Sequence, residues 1–142
     1  MNKWLAFIDL HEFIVLKQHE NVLELLEERA VGYNVGGLAL HWYMFGYNNQ
    51  TKYKSIPSTK RFQTRDKEIN QHVKVILLTD LIGKGGTFIY PHAYKYTNAS
   101  IATIDTTGKR LERKPWFNID GPSDVAVIHH YYIKSLETDE CT

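Results

Sequence analysis

A set of short apolar runs with almost no polar alternation constrains this chain more than any other feature. Residues 4–10 read WLAFIDL, apolar at successive positions until Asp9. Residues 38–45 read LALHWYMF, residues 73–78 VKVILL and residues 124–133 DVAVIHHYYI. A strand wetted on one side alternates polar and apolar residues, whereas one covered on both faces does not. These runs therefore predict central strands of a covered, largely parallel sheet. Between the first two, Phe13 to Leu16 is apolar again, and Asn21 followed by Glu24 forms a capping-box pattern ahead of VLELLEER. Val22, Leu25, Leu26 and Arg29 then fall on or near one stripe, which predicts a short helix ending before Gly32. Residues 46–58 carry turn formers without a period and read as a loop. Residues 88–90 suit another strand, residues 100–105 and 109–112 flank Thr106-Thr107-Gly108 as a hairpin, and residues 134–140 look like the start of a helix. The fold class expected is α/β, with a mixed, largely buried sheet and few helices.

At 142 residues the chain suits one domain. No internal repeat, linker or charge block divides it. Its 17 Lys and Arg against 16 Asp and Glu leave a net charge of +1, too small for a broad field to hold a polyanion or an acidic membrane. The single cysteine, Cys141, can form neither an intramolecular disulfide nor a cysteine-based metal site. No apolar stretch approaches the ~20 residues of a membrane helix, and no export signal follows Met1.

Chemistry-bearing residues stand out against this apolar background. Asp9 and His11 lie two apart at the end of an otherwise apolar run, and a period of two places both on one side of an extended backbone. A carboxylate and an imidazole at the tip of a buried strand need a partner, because an uncompensated buried charge costs several kcal/mol. An ion is one candidate. A capped turn at Asp9 with a satisfied histidine at His11 is the structural alternative. His129 and His130 form a second histidine source on opposite faces of the last strand. Residues 82–89 read IGKGGTFI and fit the I-G-x-x-G-x-x-I of KH domains through Gly83 and Gly86. The flanking β-branched and aromatic residues, with Pro91, oppose the helices which that motif joins, so nucleic-acid binding is disfavoured.

The string WLAFIDLHEFIVL resembles the W-[LI]-x-F-x-D-x-D-E-F-[IL] segment of the glycosyltransferase family 2 and family 92 group, enzymes of the GT-A fold. Further similar elements follow in the same order: LHWYMFG from Leu40, KRF from Lys60, HVKVIL from His72, Pro91-His92, and IHHYYIKS from Ile128. The resemblance implies a partial GT-A, Rossmann-like domain. It also implies metal-dependent transfer of a sugar from a nucleotide-diphosphate sugar, UDP-type, to a hydroxyl group of a carbohydrate or glycoconjugate acceptor. Asp9 carries over as the first metal ligand. His11 stands where the family has its second aspartate, and His130 matches the later histidine. That carboxylate and imidazole set favours manganese over magnesium.

Lys134 is a candidate contact to the phosphates or equally a solvated lysine, and Glu12 is expected beside the site or toward the acceptor, with an exposed glutamate as the alternative. Trp42 and Phe45 are candidate sugar platforms for which core packing is the stronger expectation. Asp80, Asp120 and Asp124 are available as a general base, and spacing selects none of them. The family carries a base-binding half ahead of its D-x-D strand, so the resemblance also implies a truncated domain over residues 1–142. A non-catalytic remnant that binds sugar or metal is the alternative from another class.

Overall fold

The computed structural model describes residues 3–82, 88–90, 92–111, 117–118 and 120–132. Among the described residues the architecture is α/β: eight strands in two sheets, two helices and one 3-10 turn. In chain order come β1 (Trp4–Ala6), β2 (Glu12–Leu16), α1 (Val22–Arg29), β3 (Val35–Met44), α2 (Ser58–Arg61) and β4 (Asn70–Leu78). The 3-10 turn Thr79–Leu81, β5 (Phe88–Tyr90), β6 (Ala93–Tyr94), β7 (Ala102–Ile104) and β8 (Ala126–His130) follow.

The ten-residue β3 organises the main sheet, whose path runs β1-β4-β3-β8-β2. On one side β3 pairs antiparallel with β4. On the other side β7 runs parallel to its first part, and β8 runs parallel to its end, from Trp42 to Met44. β1 pairs antiparallel with β4, and β2 antiparallel with β8. The sheet is thus mixed, as expected, but among these pairings only those of β3 with β7 and β8 are parallel.

Residues 4–10 depart most from their expected place. Only Trp4–Ala6 is strand, and it forms an edge. Leu5, Phe7, Ile8 and Leu10 are exposed. An unalternating apolar run cannot by itself distinguish a strand with two neighbours from one with a single neighbour. The central positions belong to β3, β4 and β8, whose interior residues are almost all buried.

Period-two alternation divides the core. Leu38, Leu40, Trp42, Ile76 and Ile128 point to the face covered by Leu25 and Leu26 of α1. Ala39, Val73, Val75 and Leu77 pack on the opposite face with Tyr94 and Leu111, and Tyr43, Phe45, Phe62, Val127 and Tyr131 form a third cluster. Helix α1 begins as its sequence predicts. The Asn21 side chain accepts from the Glu24 amide at 3.0 Å, while Glu24 turns back to accept from the Glu20 amide at 3.0 Å. The expected hairpin is present around Gly108, whose φ of +84° suits a glycine. Asp105 accepts from the Thr107 and Lys109 amides, and Ile104 bridges to Arg110. Strand β4 with the short 3-10 turn precedes the glycines of residues 83–86 and strand β5 follows them, in place of the two α-helices a KH motif requires. Those glycines themselves, Lys134 and the expected C-terminal helix lie outside the described residues. Among the described residues, no helix is long and apolar enough to cross a membrane.

Candidate functional site

Strand register delivers Glu12, Trp42, His72, Lys74 and His130 to one face. Glu12 on β2 stands opposite His130 on β8, His130 opposite Met44, and Ile128 opposite Trp42 on β3. On β4, Lys74 stands opposite Leu40 and, by the alternation of a strand, shares its side with His72. Four segments distant in sequence, residues 9–12, 42, 72–74 and 130, thereby meet in one polar cluster inside an otherwise apolar face.

Asp9 and His11 reach it through a turn, the structural alternative expected for them, and not along an extended strand. Residues 9–12 form a tight turn: the Glu12 amide donates to the Asp9 carbonyl at 2.9 Å, and the Asp9 amide donates to Glu12 Oε2 at 3.0 Å. The turn leaves Leu10 fully exposed at its tip. A period of two does not apply across a turn, so Asp9 and His11 are not related by strand alternation. Glu12, expected at the margin, is instead the buried carboxylate, with its side chain 0% exposed against 57% for Asp9.

Lys74 links the two acids. Its ammonium lies 3.1 Å from Asp9 Oδ2 and 3.2 Å from Glu12 Oε2, with only 4% of the side chain exposed. Desolvation works against the Asp9 charge, but the hydrogen bond and charge of Lys74, with smaller help from His11 and His130, hold this carboxyl below its ordinary value.

The imidazoles surround Trp42. His72 stacks on the indole at 5.1 Å, and His130 and His92 meet it edge-on at 4.4 and 5.3 Å. His11 stacks in turn on His130, with centroids 4.8 Å apart and planes within 14°. His72 presents its Nδ1 to Asn70 Oδ1 at 2.8 Å, and His92 donates from Nδ1 to the Val73 carbonyl at 3.0 Å. Burial, then the nearby His11, pushes the His130 pKa down to about 4, so its ring is neutral at pH 7. Burial lowers His72 and His92 as well, with Lys74 adding to the shift at His92. Neither ring nitrogen of His130, nor Glu12 Oε1, nor Trp42 Nε1 has a hydrogen-bond partner among the described residues. His130 Nδ1 and Glu12 Oε1 stand 3.8 Å apart, too far for a hydrogen bond. His129, on the other face of β8, packs against Phe45 at 4.7 Å and takes no part.

Trp42 is 9% exposed and flanked by imidazoles, so it is the hub of the cluster and not an open platform; Phe45, stacked on Tyr131 at 4.6 Å, is core. Beside His72 lies a cavity of about 510 Å³ lined by residues 66–72 and Phe117. Phe117 covers the His72 ring at 4.3 Å. Asp80, Asp120 and Asp124 are exposed and belong to none of the segments that form the cluster.

Asp9, His11 and His130 come together, but not as a metal centre. Among the described residues, no three His, Cys, Asp or Glu side chains are placed to hold an ion. Two physical reasons are visible. The lone pairs of an imidazole lie in its ring plane, so the nearly parallel rings of His11 and His130 do not aim at a common point. The space between Asp9 and Glu12 is taken by an ammonium. Manganese and magnesium therefore do not fit the residues as they stand.

Sequence reasoning passes over Lys74, His72 and His92. For Lys74 a signal exists, since a lone lysine within VKVILL is a buried cation that must find carboxylates. His72 and His92 enter the sequence reading only within the family-like elements HVKVIL and Pro91-His92 and not as site residues, because ring contacts across strands depend on register. Comparison with known protein families, with curated proteins and with solved structures finds no match for this chain.

Proposed function

We propose that the chain is a glycosyltransferase-like domain of partial GT-A type whose cluster around Trp42 binds a nucleotide-diphosphate sugar for transfer to a hydroxyl acceptor. One observation carries this reading. The segments that resemble the enzyme group, DLHEF, LHWYM, HVKV and IHHYY, meet in space at Asp9, Glu12, Trp42, Lys74 and His130, although 121 positions separate the first of these residues from the last (130 − 9). Sheet register brings these segments together, and what supports the reading is that the side chains they deliver to this face are polar and ionisable.

The chemistry available suits a polyol. Asp9, with a side chain 57% exposed, can accept hydrogen bonds from sugar hydroxyls. The cavity beside His72 offers room for a hexose, with the Phe117 ring in its lining.

A second reading is a binding module that performs no transfer. It is favoured by the pairing of both cluster carboxylates with Lys74, which leaves neither free to act as the base an acceptor hydroxyl needs. Titration calorimetry with UDP-hexoses, followed by assay of UDP release in the presence of acceptor sugars, separates the two. Binding that weakens at least ~10-fold in Asp9→Asn, a tenfold change being ~1.4 kcal/mol, supports a sugar-nucleotide site at the cluster. UDP release then distinguishes a transferase from a module. No binding at about 1 mM, the weak end of specific affinity, overturns both.

A further inference from the structure

We infer that the Lys74 ammonium takes the place of the divalent cation at this cluster, so that ligands bind here without a metal ion. The inference rests on the proposed function for the identity of the ligand, but its central claim concerns only Lys74 and its carboxylates. An ammonium and a divalent ion compete for the same environment: anionic oxygens converging in a site screened from water. Here that environment is complete. Glu12 supplies a fully buried oxygen at 3.2 Å, and Asp9 supplies an oxygen at 3.1 Å from the solvent side.

Lys74 is fixed in this position by the sheet. It lies inside β4, its β3 partner is Leu40, and Ile76 follows it on the same face. Withdrawing the ammonium would leave the Glu12 carboxylate buried beside an apolar face. A metal ion entering beside Lys74 would meet its positive charge at close range in a poorly screened setting, and a metal displacing it would have to bury that charge elsewhere. The ammonium has three N–H donors, of which Asp9 and Glu12 occupy two. No partner is seen for the third among the described residues, and in this proposal it goes to an oxygen of a bound ligand. A phosphate oxygen or a sugar hydroxyl would thus meet an ammonium where the metal-dependent enzymes present a metal.

Water-proton relaxation with Mn2+ alone tests the assignment on the wild-type chain. The expected result is no site tighter than about 1 mM. A site in the range of ~10 μM that disappears in Asp9→Asn would overturn the inference. In Lys74→Met, which keeps the stem and removes the charge, Asp9 and Glu12 lose their cation, and Mn2+ affinity rises at least ~10-fold. A folded Lys74→Met chain with no gain in Mn2+ affinity also counts against it. If that variant does not fold, the wild-type titration still decides.

UDP-hexose affinity, measured with EDTA and then with Mn2+, is expected to agree within about twofold; dependence on Mn2+ overturns the inference. Absence of UDP-hexose binding under both conditions removes the proposed function, and the Mn2+ titrations of the wild type and of Lys74→Met then decide the role of Lys74 by themselves.

Discussion

A buried residue can dominate a site without being conspicuous in the sequence, as Lys74 does. Its value to stability lies in what it prevents: Glu12, with no exposed side-chain area, would otherwise be a carboxylate in an apolar face. Breaking such a pair from one side costs about 3–5 kcal/mol, whereas removing both charges together is often close to neutral. Urea titrations should therefore show Lys74→Met destabilised by about 3 kcal/mol or more, with Glu12→Gln/Lys74→Met recovering most of the loss. A double variant as unstable as the sum of its singles would show that the two side chains act independently. Gly121 shows the same dependence on surroundings. A Cβ there would run into the His41 ring, so the backbone approaches a buried histidine in a way that no local sequence pattern announces.

At the scale of elements, legibility follows the origin of the signal. Helix α1 is local: its start depends on Asn21 and Glu24, and its stripe on Leu25 and Leu26, so its bounds and cap are readable from eight consecutive residues and their neighbours. Asn21→Ala should lower stability by about 1 kcal/mol, read as a shift of the urea midpoint without a change in slope. A shift smaller than ~0.2 kcal/mol would mean that packing of Leu25 and Leu26 alone holds the helix start. Strands are readable as strands, but their places in the sheet are not. β1 has the same apolar character as β3 and β4, yet it pairs on one side only, because strand order depends on partners from residues 70–78. The turn at residues 9–12 is legible only as an alternative, a capped turn at Asp9 set beside an extended strand. An apolar run closing on Asp9 looks like a strand end, whereas hydrogen bonds between Asp9 and Glu12 fold the chain back there.

For the whole molecule, the buried imidazoles act together on the response to pH. Burial lowers the pKa of His41, His72, His92, His129 and His130, the last to about 4. A histidine with a depressed folded pKa binds protons more readily when unfolded, so its stabilising effect is complete above the unfolded value of ~6.5 and is lost as pH falls toward the folded value. Asp9 acts in a lower window: its contribution persists above the ordinary carboxylate range and fades only as pH drops through its lowered folded value. Urea unfolding at successive pH values should thus show a plateau above about pH 7 and a steep fall between about 6.5 and 4. The fall should be shallower in His130→Asn, and a flat profile across that interval would contradict neutral burial of these rings. The sequence by itself determined what depends on neighbours along the chain: an α/β composition, short buried strands, one capped helix, a glycine-centred hairpin, and the residue types able to do chemistry. Tertiary structure alone decided that β1 is an edge, that four histidines gather on and around Trp42, and that an ammonium lies between Asp9 and Glu12. The physical reason is range. Capping and periodicity act within a few residues, whereas ion pairing and ring stacking depend on sheet register, which brings Lys74 to Asp9 across 65 positions of sequence.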